Sequence, residues 1–502
     1  MLNLAYYILG LSYLNPNAYL PWPNFYQDGL AILSFLFFIF YFLKIKSSFV
    51  ISKFLIYIYI ITLFFICFQF FLNFYYFYQD LFLFLFYFTL FFISILIGSN
   101  DIIKIHKLMF LFLFVGLVSI AIQIFQWVGF ESIFFRDFLG KRPYANLGQP
   151  NQLATLLFFS LFSNLYLLFD KRVNIKIYWI FSFILSFGIA LTFSRTSWLV
   201  FLFVIIISLL KFNLKLYKVL FPVFIVYIFQ VIILASLSSS FGVKFKEIIG
   251  HRNISDPSRI KIWEQSIVAV KESPWLGYGV NQTSIARAKV LETSQSYDLV
   301  EYSHNLFLDI LLWFGIPMGS ILICISIYFF CEKLIREKEV KKNILLLIIL
   351  CFFIHSMLEY PFTYAYFIIP IGFILGFFVA NSGFYITVDN RLLVIFILLL
   401  NFGFCFLVFE YFRYKNVSRD LDYNYLFSSD NKIVKNKFFL IDMIYYNKLN
   451  QVAEKNDILK DYHLEHFQIL YYRYPSNVNY SLYLSKYIEE QEGGLKGKTQ
   501  IK

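Results

Sequence analysis

Residues 301–317 read EYSHNLFLDILLWFGIP, with His304 and Asn305 side by side where a long apolar run begins. Imidazole is the side chain whose ordinary titration lies nearest neutral pH, so it can move a proton there. His304 is therefore expected to act on a substrate held at a membrane surface; the plain alternative is an interfacial polar residue. Of the six His in the chain, His106, His355, His463 and His466 fall in a basic loop, a span or the tail, which leaves His251 and His304 beside the long loop.

Other polar residues collect at span ends. The segment GKRPYANLGQPNQLATLL (140–157) offers Arg142, Tyr144, Asn146, Gln149, Asn151 and Gln152. Pro150 suits the first turn of a helix, and the open N–H groups of such a turn favour an anion. Ordinary capping by Asn is the simpler reading, but capping alone does not require Arg142, Gln149 and Asn151 together. In LTFSRTSW (191–198), Arg195 lies in a turn between two spans. It either snorkels to lipid headgroups or clamps a phosphate with its planar fork. In 256–282, Ile260, Trp263, Ile267 and Val270 fall at helical spacing, with Arg259 at the start of the helix. HSMLEYPFTYAYFIIPIGFILG (355–376) puts Glu359, Tyr360 and Tyr364 at a turn between spans. A carboxylate there is expensive unless paired or wet; it would orient an arginine or bind an acceptor.

The elements that must position these residues are membrane helices. The 502 residues are 60% hydrophobic and 15% charged, far from the balance of a soluble domain. Apolar runs long enough to cross a ~30 Å hydrocarbon core recur to about residue 411. The fold class expected is an all-α polytopic membrane protein of about thirteen spans. Its regions are a transmembrane bundle over 1–236, a large loop with an amphipathic helix over 237–303, a second bundle over 304–411 and a small helical tail over 412–502. The basic loops 44–53, 106–110, 170–176, 211–218 and 332–342 alternate onto one side, which the positive-inside rule makes cytoplasmic. The N-terminus is then inside. The loops at 130–150 and 237–303, and the tail, are outside. The basic residues kept in those outer loops suit an anionic substrate. The tail carries one degenerate helix–turn–helix unit like a tetratricopeptide repeat.

Several function classes drop out. The net charge of +12 belongs to loops of a membrane protein, so no nucleic acid is expected as partner. The five Cys form no C-x-x-C pair, no metal spacing appears, and neither a phosphate-binding loop nor a dinucleotide fingerprint is present. No cofactor and no metal site are expected. A transporter would need polar residues at mid-depth, whereas here they cluster at span ends.

The segments QPNQLATLL, SRTSW, RIKIWEQSIVAVKESPWLGYG, SHNLFLDILLWFGIP and EYPFTYAYFIIPIGFILG, in that order over about 140–380, resemble the bacterial O-antigen ligase superfamily. They are most similar to its O-linking oligosaccharyltransferases, which glycosylate pilins and other exported proteins. LNPNAYLPWPNFYQD (14–28) also resembles an early loop of that family, with Asn17-Ala18 where the family has a His before Pro-Trp. The resemblance implies a GT-C-like bundle in the bacterial inner membrane, with its active site and tail in the periplasm. It implies a glycan donor on undecaprenyl pyrophosphate, and en bloc transfer to a Ser or Thr hydroxyl of a periplasmic protein such as a pilin. By matching position, His304 would be the catalytic base, Arg195 and Arg259 would bind the pyrophosphate, and Gln149, Asn151, Tyr360 and Tyr364 would shape the donor and acceptor site. The reading of the segments themselves adds Arg142 to the pyrophosphate and Asn305 and Glu359 to the substrate site. Arginines can stabilise a leaving pyrophosphate without a metal, and direct attack at the anomeric carbon would invert it. A lipid A-core O-antigen ligase and an O-antigen polymerase are the near alternatives, and a structural subunit the distant one.

Overall fold

A computed structural model describes residues 1–19, 22–137, 142–210, 214–240, 257–290, 301–380 and 385–420, together with Tyr472. The repeat-like unit read in the tail, and His251, His463 and His466, lie outside the described residues. The helices are α1 (Leu2–Leu14), α2 (Phe25–Ile45), α3 (Lys53–Phe71), α4 (Tyr78–Ser99), α5 (Ile105–Trp127), α6 (Pro150–Phe169), α7 (Ile175–Leu191), α8 (Arg195–Leu210), α9 (Leu214–Ser240), α10 (Pro257–Glu272), α11 (Thr283–Lys289), α12 (Leu306–Arg336), α13 (Val340–Ser356), α14 (Ala365–Val379) and α15 (Asn390–Asp420). Among the described residues, eight helices are long and apolar enough to cross a membrane, and four shorter apolar helices accompany them. Helices are the form in which a chain can satisfy its own backbone groups inside lipid. Large side chains such as Phe64, Phe114, Leu398 and Phe402 stay exposed, as expected of a surface solvated by acyl chains.

Two compact units emerge. The first comprises 1–61, 87–255 and 325–401. Its most enclosed helix is α6, buried continuously from Gln152 to Leu167 and packed by α5, α7 and α13. Polar bonds within this unit join loops that the charge pattern assigned to one and the same side. Lys341 and Arg172 both reach Asp170. Asn100 binds the backbone of Val50, while the amide of Asn146 donates to the carbonyls of Leu14 and Phe134.

The basic loop after α2 is not plain coil. Residues Ser48–Ser52 form β1, antiparallel to β2 (Tyr385–Asp389), with Val50 opposite Thr387. SFVIS and YITVD are rich in β-branched and aromatic residues, which fit a pleated surface better than a helix. The all-α expectation thus holds for the spans and misses one ribbon.

The second unit comprises 62–86, 256–324 and 402–502. Here two expectations need correcting. The amphipathic helix exists as α10, but its buried stripe is Ile262, Gln265, Ser266, Ala269 and Val270, while Ile260 and Ile267 are exposed. The stripe is shifted because its partner is the short helix α11, reached through hydrogen bonds between Gln265 and the buried Arg287. The long apolar run that begins at His304 and Asn305 is not one unbroken helix: Gly315 has φ 73° and ψ 175°, with Pro317 just beyond. That backbone region is essentially open to glycine alone. The PWLGYG turn fills the break. Ile316 N donates to the Pro274 carbonyl at 2.6 Å, Tyr278 N to Leu312 O at 2.7 Å, and the Gln69 amide to Leu276 O at 2.6 Å and Trp313 O at 2.8 Å.

A Cβ on residue 315 would meet the Trp275 carbonyl oxygen at 2.5 Å. Gly315→Ala should therefore destabilise the protein by at least about 1–3 kcal/mol, read as a lower thermal midpoint in detergent. A second outcome concerns Asp170. Desolvation pushes its carboxyl up, but hydrogen bonds from Arg172 and Lys341 and their charges outweigh this and hold it below the usual value. The stability this pairing supplies is full above the unfolded carboxyl's pKa of about 4. It is lost as pH falls through the lower folded value. The difference in thermal midpoint between the parent protein and Asp170→Asn should shrink at acid pH.

Candidate active site

In the first unit the candidate residues meet where α6 begins. Gln149 adopts extended backbone as the N-cap and Pro150 opens the helix, as its ring prefers. The Gln149 side chain makes no cap bond. It turns instead to Glu359, donating from Nε2 to Oε2 at 3.2 Å. Asn151 Nδ2 donates to the other carboxylate oxygen at 3.0 Å. Glu359 is only 4% exposed, so these donors offset a desolvation that would otherwise be several kcal/mol for an unpaired charge.

Asn151 relays the network onward. Its Oδ1 accepts from Ser194 Oγ at 2.7 Å and from Arg142 Nη2 at 3.3 Å. Its amide dipole therefore runs from cation to carboxylate, the orientation in which each bond strengthens the next. Arg142 Nε donates to the Thr192 carbonyl at 2.7 Å. Three chain-distant pieces are tied by this set: the loop before α6, the three-residue turn between α7 and α8, and the turn after α13. The α7–α8 turn holds Phe193 at φ 47°, a left-handed conformation that non-glycine residues adopt only when neighbours enforce it. Arg195 follows directly, exposed, as the first residue of α8.

The turn after α13 is built by sequence. Glu359 N still bonds to His355 O at 2.9 Å, but Pro361 stops the helix and opens a single 3₁₀ turn, Pro361–Thr363. Tyr360 and Tyr364 flank it, their rings 6.2 Å apart, and Tyr364 stacks on Tyr366 at 5.3 Å. From the 14–28 segment, Asp28 receives Ala365 N at 2.7 Å and Trp22 Nε1 at 3.2 Å. The buried Asp28 thereby holds the start of α14.

The second unit holds the other candidates. His304 is half-buried in the loop before α12 and sits at φ 59°. Its two neighbours are pinned. Asn305 Oδ1 caps α12, accepting from Phe307 N at 3.0 Å and Leu308 N at 3.3 Å. Ser303 N donates to Asp309 Oδ1 at 2.9 Å, and Ser303 Oγ to Asn305 O at 2.8 Å. The fully buried Asp309 also accepts from Thr283 Oγ1 at 2.9 Å, and Thr283 receives Trp313 Nε1 at 3.0 Å. A left-handed histidine is thus presented by a clamp on either side. Arg259 lies half-buried in the first turn of α10.

The structure therefore brings Arg142, Gln149, Asn151 and Glu359 into one network, with Tyr360, Tyr364 and Arg195 on the segments it ties. Arg259, His304 and Asn305 belong to the other unit. Sequence reasoning gave no role to Asp28 and Asp309, and noted Arg136 and Arg287 only among the basic residues of the outer loops that suit an anionic substrate. Asp309 is legible as an acid five residues after a His in an apolar run, and Asp28 as the acid that closes the 14–28 segment.

Asp309→Ala leaves Ser303 N–H and the Thr283 hydroxyl without their acceptor. Buried donors so stranded cost about 1–3 kcal/mol each. Faster amide hydrogen exchange over 303–308 is expected, alongside a lower thermal midpoint.

Comparison with known proteins places these segments. Residues 180–323 match a family model described as O-Antigen ligase, 143–168 one described as Protein glycosylation ligase, and 344–422 one described as Virulence factor membrane-bound polymerase, C-terminal. The ComP-specific O-oligosaccharyltransferase of Acinetobacter baylyi is 30% identical over 495 residues, covering 94% of this chain and 88% of that protein. The General O-oligosaccharyltransferase of the same organism is 33% identical over 283 residues, 53% of this chain and 49% of that protein. A likeness that runs almost end to end, through the segments that build the Glu359 network and the His304 clamp, leaves one assignment: the chain belongs to the O-antigen ligase superfamily and to its O-oligosaccharyltransferase type.

Proposed function

We propose that the protein is an O-linking oligosaccharyltransferase of the bacterial inner membrane. It moves a glycan en bloc from undecaprenyl pyrophosphate to a Ser or Thr hydroxyl of an exported protein, such as a pilin. The observation that carries this reading is the 30% identity to an O-oligosaccharyltransferase across 94% of the chain.

The chemistry follows from the side chains. A hydroxyl is a weak nucleophile until a base removes its proton, and a positioned imidazole contributes roughly 10²–10⁴-fold in rate. In this reading His304 takes that proton as the hydroxyl oxygen attacks the anomeric carbon. The carbon–oxygen bond to the pyrophosphate breaks, and the leaving group departs with the electron pair. Arg195, Arg259 and Arg142 are the cations assigned to the developing negative charge, which guanidiniums stabilise. Direct attack inverts the anomeric configuration. Glu359 keeps Gln149 and Asn151 aimed and Arg142 in register, while Tyr360 and Tyr364 border the sugar or the acceptor. Asn305 contributes by capping α12, which keeps the His304 loop still. The active site and the tail face the periplasm in this reading, and the N-terminus faces the cytosol.

His304→Ala should abolish glycosylation of exported proteins, with protein levels unchanged. Glu359→Gln should retain more activity than Glu359→Ala, because an amide still accepts one hydrogen bond. Both are read on a glycan-stained gel of secreted and pilus proteins, with the lipopolysaccharide ladder alongside. Unchanged glycosylation in His304→Ala would remove the base from the mechanism. The match of residues 344–422 to a polymerase model favours a second reading, an O-antigen polymerase. It predicts a shortened ladder with unaltered protein bands on deletion.

A further inference from the structure

Arg136, one of the basic residues of the 130–150 loop, has no individual role in the mechanism above. It lies in the loop after α5, and its backbone is held from two sides. Arg136 N donates to Asn146 Oδ1 at 2.9 Å, and its carbonyl accepts from the buried Gln126 at 3.0 Å. The same Gln126 receives Ala145 N and donates to the Ala145 carbonyl, so the loop is fastened to the segment leading into Gln149. The guanidinium lies close against Gly148, the neighbour of Gln149. A Cβ on Gly148 would fall 2.3 Å from Nη1, and Gly148 itself has φ 80°. Both facts reserve the position for glycine and leave room for a cation.

Burial pulls the Arg136 guanidinium below its ordinary range, partly offset by the phenols of Tyr144, Tyr366 and Tyr364. Arginine nevertheless stays charged in proteins. Among the described residues its side chain makes one hydrogen bond, to the neutral amide oxygen of Asn24 at 3.3 Å. A guanidinium has five N–H donors, and residues 138–141, Phe-Leu-Gly-Lys, contribute no acid. Among the described residues, then, Arg136 is a half-buried cation with one neutral hydrogen-bond acceptor, Asp137 beside it in sequence being exposed; set near the tyrosines of the site, it has the electrostatics of a receptor for an anion.

We propose that Arg136, steadied by Asn24 and Gly148, binds an oxyanion of the substrate beside the Gln149–Glu359 network. The inference rests on the transferase reading. Two sources share that chemistry: the carboxylate of an acidic sugar in the transferred glycan, and the pyrophosphate itself.

The test uses the full-length protein with two donors on the same polyprenyl pyrophosphate, one with a neutral glycan and one containing a hexuronic acid. Arg136→Gln keeps a donor for Asn24 and removes the charge; Arg136→Lys keeps the charge. Thermal midpoints of both variants monitor folding. A loss of tenfold or more in Arg136→Gln on the acidic donor alone, partly restored in Arg136→Lys, assigns the carboxylate. An equal loss on both donors, again restored by lysine, assigns the pyrophosphate. Transfer within twofold of the parent on both donors overturns the proposal. So does a loss in both variants that tracks a lowered thermal midpoint. Failure of the parent protein to transfer either donor sinks the transferase reading and takes this inference with it.

Discussion

A carboxylate buried at 4% exposure between membrane helices must find donors or lose its charge. Glu359 finds them in Gln149 and Asn151, on the first turn of α6. That start carries the positive end of a helix dipole, which adds to the attraction. Because Asn151 also accepts from Ser194 and Arg142, satisfying one acid fixes three loops far apart in sequence. The exposed Arg195 inherits its place from this arrangement, one residue from Ser194. A network of this kind holds its charged groups in fixed positions.

The second unit solves a different problem with backbone rather than charge. Breaking α12 at Gly315 exposes carbonyls and amides that lipid cannot solvate. The PWLGYG turn and Gln69 satisfy them. The turn brings α11 with it, and Thr283 on α11 bonds to both Asp309 and Trp313. The helix break is thus linked, bond by bond, to the loop that holds His304 at φ 59°. A strained conformation next to a buried acid is the kind of local cost that functional loops carry.

Each unit presents its candidate residues in its own way. The first has a polar helix end with Arg142 bonded to Asn151; the second has His304 between Ser303 and Asn305, both of them hydrogen-bonded. Most of the polar residues around these candidates are tied to backbone or to one another. Asn305 illustrates the point. It stands next to His304 in sequence, yet its amide oxygen caps the helix.

Much was legible in the sequence because lipid imposes simple rules. Apolar runs, basic loops and Pro150 at a helix start depend on local composition, and the helices follow them. The residues of the Glu359 network were singled out because polar groups at span ends are conspicuous against an apolar background. Which of them touch was decided only by folding, since Gln149 and Glu359 lie 210 positions apart. The stripe that α10 buries, the break at Gly315 and the support given by Asp28, Asp309 and Arg136 were also decided there. Each depends on a partner segment distant in the chain. Periodicity states that a helix has a face, but only the packed neighbour determines which face is covered.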